Sequence, residues 1–274
     1  MSEKLICSEK GVISRTDIDV KISANAGLGI RFILASGKII KASTETIFSS
    51  QRNTVLGDSE ESLCLVEHFL AACSLLDINN LDVEVDNYEL PFADGSAMFW
   101  IDCLRASGFA RENSLEQKRI TISEEFIIVD ENDISRFIKV RPSDTFSVSY
   151  ILDMPQNFIG RREAKWTFGE DSVELIARAR TFSNEEENKL LGLDGWVLGY
   201  TESAFTKALY SYNEPAMHKA LDLIGDLRLI GFNPLSLNAD IISSKGGHAL
   251  NTKLACYLAK NFSPDSQKLC IASV

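Results

Sequence analysis

The stretch PAMHKALDLIGDLRLIG, residues 215–231, indicates how the second half of this 274-residue chain folds. Proline is favoured in the first turn of a helix, and glycine is favoured directly after the last turn. The stretch therefore predicts a helix over residues 214–230, with Asn213 as its cap and Gly231 as its stop. Because apolar residues recur along one side, we expect this helix to be amphipathic.

One face of this helix carries polar side chains that are spaced one turn apart. His218 and Asp222 share that face, and Asp226 lies a further turn along. An imidazole and a carboxylate in this arrangement can chelate one metal ion, and Asp226 can orient another histidine. The alternative is the polar stripe of an ordinary amphipathic helix. Leu221 and Ile224 nevertheless place both carboxylates at the edge of an apolar surface, where a carboxylate needs a partner.

Two further helices carry the other two histidines of the chain. Apolar spacing predicts one helix over residues 59–76, with Asp58 or Ser59 as its cap. The other is predicted over residues 248–261, directly after two glycines. The 59–76 helix and the 214–230 helix occupy matching places in the two halves of the chain, which suggests a duplicated module.

Both of these histidines have neighbours that suit catalysis. Glu67 precedes His68 in an apolar segment, and a carboxylate beside a metal-bound histidine can take a proton from water. His248 is at a helix start, which disfavours imidazolium, while a carboxylate such as Asp226 would favour it, so His248 can donate a proton. Taken singly, Glu67 also fits the solvent edge of a core helix, and His248 fits a glycine turn. Two histidines, one aspartate and a water together make a catalytic zinc site.

The overall composition is typical of a soluble globular protein. Hydrophobic residues make up 45% of the chain and charged residues 24%, and the length suits one large domain or two ordinary ones. A net charge of −11 argues against a nucleic-acid partner. We find no apolar run of the roughly 20 residues that span a membrane, and no secretory signal, so we expect a cytoplasmic protein. The six cysteines form no C-x-x-C pair, so a disulfide framework is not expected.

Short runs with a β-strand pattern flank a polar segment, residues 108–118, which we interpret as a linker. The strands come in runs and do not alternate with helices, so the pattern favours an α+β fold over a doubly wound parallel sheet. The predicted strands cover residues 13–22, 81–85, 120–129, 137–141, 146–153 and 163–168.

Five segments together resemble the lipid A deacetylases, which remove the acetyl group from UDP-3-O-acyl-N-acetylglucosamine. They occur in the order of that family over roughly residues 50–260, and the combination of HKALDLIGDL with GGHALN is highly specific to it. The segments are VEHFLAA (66–72), ELPFADGSA (89–97), ARTF (179–182), HKALDLIGDL (218–227) and GGHALNTKL (246–254).

The resemblance implies a fold and a reaction. The fold would be two similar α/β-sandwich domains of the ribosomal S5 domain 2 type, over residues 1–110 and 118–274. Helices would pack between the sheets, and the active site would lie at the domain junction. The reaction would be hydrolysis of the N-acetyl group of UDP-3-O-(3-hydroxyacyl)-N-acetylglucosamine, with release of acetate. The implied cofactor is Zn²⁺, with Fe²⁺ as the alternative, the implied substrate is a small UDP-acylaminosugar, and we expect a monomer.

The resemblance also assigns roles to nine side chains of this sequence, while the turn over residues 94–96 is expected to be structural. The roles are His68, His218 and Asp222 as metal ligands, Glu67 as general base, His248 as general acid held by Asp226, Thr181 as oxyanion donor, and Phe182 and Lys219 as contacts to the nucleotide sugar.

Three segments depart from the family pattern. Residues 11–16 (GVISRT) replace a motif that contains a histidine and further glycines. Residues 183–187 (SNEEE) put glutamates where apolar residues are expected, in the insert that would receive the acyl chain. Residues 190–196 (LLGLDGW) stand in place of a glycine-rich stretch.

These departures leave two outcomes open for the acyl chain. In the first, which we favour, the glutamates face solvent from a short helix, while Leu190, Leu191, Leu193 and Trp196 form an apolar wall. In the second, the passage is truncated. Two other functions therefore stay in view: deacetylation of a different N-acetylated sugar nucleotide, and a metal-binding homologue without activity. The intact set of implied site residues speaks against the latter.

Overall fold

The computed structural model describes residues 5–109, 119–155 and 157–262. Of the predicted linker, only Gly108 and Phe109 fall within these ranges, so the domain bounds 1–110 and 118–274 remain a prediction. Among the described residues no helix is both long enough and apolar enough to cross a membrane. Cys7, Cys64, Cys73, Cys103 and Cys256 are free, and Cys270 lies outside the described ranges.

The first half of the chain forms one mixed sheet of five described strands and a small separate sheet. Its eight strands are β1 (Leu5–Lys10), β2 (Asp17–Ala24), β3 (Ile30–Leu34), β4 (Ile39–Lys41), β5 (Ile47–Ser49), β6 (Val55–Gly57), β7 (Ser62–Leu63) and β8 (Leu81–Val85). The large sheet has the order β1-β2-β8-β3-β4, and β8 and β3 are its parallel pair. Strands β5, β6 and β7 form the small sheet.

The second half repeats this arrangement. Its strands are β9 (Ile120–Thr121), β10 (Phe126–Val129), β11 (Phe137–Pro142), β12 (Ser147–Met154), β13 (Gly160–Thr167), β14 (Phe182–Asn184), β15 (Leu198–Tyr200) and β16 (Leu237–Ser244). The order β10-β11-β16-β12-β13 again places a parallel pair, β16 with β12, between antiparallel neighbours. The short strand β9 adds a second parallel pairing at the start of β16. The matching topology supports the duplicated module that helix placement suggested.

The helices of the described residues are α1 (Glu67–Leu75), α2 (Met98–Ala106), α3 (Val173–Ala177), α4 (Glu185–Leu191), α5 (Glu214–Leu227) and α6 (His248–Asn261). Helices α1 and α5 lie between the two large sheets, whereas α4 packs beside β14 and β15. Helix α1 precedes β8 as α5 precedes β16, and α1 and α5 pack against each other. Phe69 of α1 contacts Phe32 of β3, with 5.8 Å between ring centroids, while α5 packs on β12 and β13. The predicted α+β class is confirmed.

Helices α5 and α6 match their predictions, but the start of α1 does not. The helix predicted from residue 59 begins only at Glu67, because residues 62–63 form strand β7. Asp58 is not a helix cap, since its carboxylate accepts the N–H groups of Glu60 and Glu61 in the turn between β6 and β7. An aspartate makes the same local hydrogen bonds in turns and in caps, so residue type alone does not separate the two.

Three predicted strands are also wrong in their limits. The run predicted over 163–168 begins three residues earlier, at Gly160. The run predicted over 13–22 begins at Asp17, because the N–H groups of Ile13 and Ser14 instead bind the buried carboxylate of Glu89. The run predicted over 120–129 is interrupted between β9 and β10.

Candidate active site

Helices α1 and α5 bring three candidate metal ligands together. One ligand atom from each of His68, His218 and Asp222 lies within 4.8 Å of the others. Asp222 Oδ1 is 3.3 Å from His68 Nε2, and Asp222 Oδ2 is 3.4 Å from His218 Nε2. One metal ion could therefore contact all three side chains, as in a zinc site with two histidines and one carboxylate.

His218 is held in the form that binds a metal. Its Nδ1 lies 3.3 Å from the carbonyl oxygen of Ala179, so a proton on Nδ1 can be donated there while Nε2 faces Asp222. Burial lowers the pKa of His218 to about 3, which keeps the ring neutral. Histidine ligands are usually fixed by such a bond from the other ring nitrogen.

Lys219, which follows His218 on α5, forms an ion pair with Asp222. Its Nζ is 2.7 Å from Asp222 Oδ2, which leaves Oδ1 facing His68. Burial alone would raise the pKa of Asp222, but the charge of Lys219 and the hydrogen bond from His68 hold it well below its usual range. The carboxylate is therefore ionised and ready to bind a cation.

Glu67 is buried at the first position of α1, so the alternative of a solvent-edge residue is excluded. Burial raises its pKa above the ordinary value of a glutamate. The N–H of Thr54 donates to its Oε2 at 3.2 Å. A buried carboxylate with a raised pKa beside candidate metal ligands has the properties expected of a general base.

His248 and Asp226 form the pair that the sequence suggested. His248 Nδ1 is 2.8 Å from Asp226 Oδ2, and Asp226 is fully buried. Burial disfavours charge on His248, but Asp226 outweighs it and the pKa of His248 rises to about 9. His248 Nε2 points back toward the ligands, 3.8 Å from Asp222 Oδ2. An imidazolium is thus available next to the candidate metal position.

Thr181 reaches the site because its neighbour Arg180 is fastened to α5. Arg180 Nε lies 2.7 Å from an oxygen of Glu214 in the first turn of that helix, and both side chains are buried. The Thr181 hydroxyl donates to the carbonyl of Gly95, at 2.9 Å, in the turn expected to be structural. Gly95 takes a φ of +81°, which glycine allows at little cost.

Two adjoining concave surfaces meet at these side chains. The first, here called the metal cleft, is lined by Glu67, Thr181, Leu65 and Phe92 together with the three candidate ligands. The second, here called the side groove, is lined among others by Phe182, Tyr150, Tyr200, Arg136 and Lys245. Arg52, Lys219 and His248 line both, so one ligand can extend from the cleft into the groove.

Comparison with known proteins identifies the family. The family model described as LpxC, UDP-3-O-acyl N-acetylglycosamine deacetylase, matches residues 1–260. The chain belongs to this deacetylase family. Among similar curated proteins, the UDP-3-O-acyl-N-acetylglucosamine deacetylase of Aquifex aeolicus is 37% identical over 248 residues, covering 85% of this chain and 82% of that protein. Its counterpart in Helicobacter hepaticus is 31% identical over 226 residues, covering 78% and 73%.

Membership of the LpxC family makes this chain an amide-hydrolysing enzyme of the deacetylase type. The structure brings the predicted residues Glu67, His68, Thr181, His218, Lys219, Asp222 and His248 into the metal cleft, and Phe182 into the adjoining groove. Asp226 lies behind His248. The roles assigned to these side chains stay predictions.

Sequence reasoning missed residues that support the deacetylase site from other segments. Thr54 and Asn251 both donate to Asp226, and Arg52 lines the metal cleft. Asn251 had a usable signal, since it lies one turn after His248 on α6. Thr54 and Arg52 had none, because their partners are distant in sequence.

Proposed function

We propose that this chain hydrolyses the N-acetyl group of UDP-3-O-(3-hydroxyacyl)-N-acetylglucosamine, releasing acetate, as a step of lipid A biosynthesis. Family membership supports this activity, as do the relatives that are named after it. The observation that carries the proposal is the convergence of three metal-ligating side chains, a buried carboxylate and a charged imidazole in one cleft.

Zinc is the proposed cofactor. Two imidazoles and a carboxylate, without a thiolate, are the donor set of many hydrolytic zinc sites, and ferrous iron accepts similar ligands. His68, His218 and Asp222 would hold the ion, since one ligand atom from each lies within 4.8 Å of the others. When bound there, zinc would supply Lewis-acid chemistry at the amide carbonyl.

The side chains around the ion divide the proton transfers between them. Glu67 takes a proton from the attacking water, since its raised pKa keeps it a useful base near neutrality. The imidazolium of His248, held by Asp226, donates a proton to the departing amine nitrogen. Thr181 transfers no proton; its hydroxyl turns away from Gly95 and donates a hydrogen bond to the developing oxyanion.

The side groove suits the nucleotide part of the substrate. Four cations border it, namely Arg52, Arg136, Lys219 and Lys245, and phosphate groups bind such side chains. Phe182 and Tyr200 offer ring faces, with centroids 6.3 Å apart. Lys219 Nζ lies 5.8 Å from the centroid of the Phe182 ring, so the two residues implied to contact the nucleotide sugar are neighbours.

An apolar cluster next to the metal cleft suits the acyl chain. Leu65 and Phe92 belong both to the cleft lining and to this cluster, which continues through Val12 and Val197 to Leu193 and Trp196. Glu186 and Glu187 are exposed on α4, as in the outcome favoured from the sequence, but Glu185 is half-buried and its Oε2 is buried, so that outcome is wrong for Glu185. Leu190 is 88% exposed and Leu191 50% exposed, so Leu193 and Trp196 are the better candidates for the wall.

The proposal is tested by following deacetylation with zinc-loaded protein. UDP-3-O-(3-hydroxyacyl)-N-acetylglucosamine and unacylated UDP-N-acetylglucosamine are compared, and both acetate and the free amine are quantified. We expect stoichiometric products from the acylated substrate and far slower turnover of the unacylated one. Preference for the unacylated compound would instead assign the enzyme to another N-acetylated sugar nucleotide. If neither compound gave product, the chain would be a metal-binding homologue without this activity.

A further inference from the structure

Thr54 contacts both carboxylates that serve proton transfer in the proposed reaction. Its side-chain hydroxyl donates to Asp226 Oδ1 at 2.5 Å, and its backbone N–H donates to Glu67 Oε2 at 3.2 Å. Its Oγ1 is also 3.4 Å from His248 Nδ1. The residue is fully buried, so water does not compete for these contacts.

The two oxygens of Asp226 have different partners among the described residues. Oδ2 faces His248 Nδ1 at 2.8 Å and accepts the amide hydrogen of Asn251, also at 2.8 Å. Oδ1 accepts the hydroxyl hydrogen of Thr54. Because an ionised carboxylate can only accept, the hydroxyl must be the donor in this bond. A fully buried oxygen that lost this donor would have a strong tendency to turn toward another one.

A turn of the Asp226 carboxylate would carry His248 with it, since the ring is held through Oδ2. We propose that Thr54 is a positioning residue, whose hydroxyl fixes the Asp226 carboxylate and thereby the direction in which His248 delivers its proton. The inference rests on the proposed function, in which His248 is the general acid. Thr54 does not touch the reacting atoms, and it acts through Asp226.

In this proposal the small sheet of β5, β6 and β7 serves to position Thr54 in the site. Thr54 directly precedes β6, whereas Asp226 and His248 belong to helices of the other half of the chain. Arg52, two residues earlier, takes a φ of +68°, so the backbone bends sharply as it enters the site. The small sheet thus brings a hydroxyl from the first half to the acid pair of the second.

The kinetic test compares Thr54→Val, which removes the hydroxyl at nearly constant shape, with Thr54→Ser, which keeps it. Loss of a group that orients an active-site residue typically costs about 10–100-fold in activity. We expect a fall of that size in kcat for Thr54→Val, with KM within about twofold of wild type and the zinc content retained. Thr54→Ser should recover most of kcat. Wild-type kcat in Thr54→Val would overturn the proposal, and so would an equal loss in both variants.

A matched control comes from Ser74, a buried residue of α1 whose hydroxyl donates only to the backbone carbonyl of Leu70 among the described residues. Ser74→Ala removes a buried hydroxyl from the helix that carries Glu67 without touching Asp226. It should keep the wild-type kcat. A loss in Ser74→Ala as large as in Thr54→Val would mean that removing any buried hydroxyl near α1 impairs the enzyme, which contradicts a specific role for Thr54.

A second readout does not depend on turnover. The chain has three histidines, so the long-range ¹H–¹⁵N NMR spectrum of zinc-loaded protein contains three imidazole patterns. At a fixed pH we expect Thr54→Val to move the pattern of His248 while those of His68 and His218 stay in place. Thr54→Ser should resemble wild type. An unchanged His248 pattern in Thr54→Val would contradict the positioning role. This readout is independent of activity, because failure of the wild-type enzyme to deacetylate either substrate would refute only the proposed function.

Discussion

The backbone of Glu67 lies directly against Gly225, so closely that a Cβ at position 225 would be 2.1 Å from the Glu67 carbonyl oxygen. This contact is where the start of α1 meets the last turn of α5. It allows His68, the next residue of α1, to approach Asp222 of α5 to 3.3 Å. The glycine therefore sets the separation of two candidate metal ligands without being a ligand itself.

Replacing Gly225 by alanine should weaken metal binding. The added methyl group overlaps backbone and not a flexible side chain, so α1 and α5 must separate. Overpacking of this kind typically costs about 1–3 kcal/mol of stability. We also expect zinc affinity to fall by about tenfold or more, as happens when groups that orient metal ligands are disturbed. Competition with a chromophoric chelator measures the affinity.

Gly231→Ala is the control for this substitution. Gly231 lies just beyond α5 and takes a φ of +93°, and a Cβ added there would meet no described atom within 4 Å. Alanine at this position strains the backbone without overlap, so stability should fall while zinc affinity is kept. Equal losses of zinc affinity in the two variants would show that helix separation is not the cause.

Alanine substitutions of the three histidines should differ in their effect on metal content. We expect wild-type protein to contain near-stoichiometric zinc or iron. His68→Ala and His218→Ala each remove one candidate ligand and should lose this metal. His248→Ala should retain it, because His248 bonds to Asp226 and is outside the ligand cluster. Elemental analysis of purified proteins checks this. Full metal content in His218→Ala, or its loss in His248→Ala, would refute the ligand assignment.

Glu67→Gln should keep the metal but lose activity. The amide retains the shape of the side chain and cannot accept the proton of the attacking water. General base catalysis typically contributes about 10²–10⁴-fold, so kcat should fall by that factor. Near-normal turnover would remove Glu67 from the mechanism, while loss of the metal would point to a structural role.

The pH dependence of kcat/KM should be bell-shaped. In the proposed mechanism Glu67 must be ionised, and since burial raises its pKa, activity should be lost as pH falls through that raised value. His248 must be protonated, so activity should also be lost as pH rises through its pKa of about 9. Asp226 stabilises the imidazolium, so Asp226→Asn lowers this pKa and should move the alkaline limb to lower pH. An alkaline limb unmoved by Asp226→Asn and by His248→Ala would refute the role of His248.

Acyl chain length should affect turnover through the apolar cluster. Burial of each methylene is worth about 0.8 kcal/mol, which corresponds to about a fourfold gain in kcat/KM until the cluster is covered. Trp196→Ala should reduce this gain, because Trp196 packs against the cluster. Leu190→Ala should affect it less, since Leu190 is largely exposed. A flat response to chain length in wild type would favour a truncated passage.

Local sequence signals predicted the helices that carry the site better than the contacts between them. Helix α6 begins and ends as predicted, and α5 continues as a 3₁₀ turn over Arg228–Ile230 up to Gly231. The start of α1 was wrong because an aspartate fits both a cap and a turn.

Contacts between distant segments could not be predicted from local sequence patterns. A glycine inside a helix appears only as a loss of propensity, so the tight packing at Gly225 could not be inferred. Thr54 has an ordinary sequence context, and its partner Asp226 is far along the chain.

The most direct test of the central claim is a single assay of acetate release from UDP-3-O-(3-hydroxyacyl)-N-acetylglucosamine, run side by side with zinc-loaded wild type, metal-free wild type and zinc-loaded Glu67→Gln. The proposed chemistry predicts acetate and free amine in equal amounts from the first, and only traces from the other two. Equal acetate release by metal-free and zinc-loaded enzyme, or by Glu67→Gln and wild type, would contradict it.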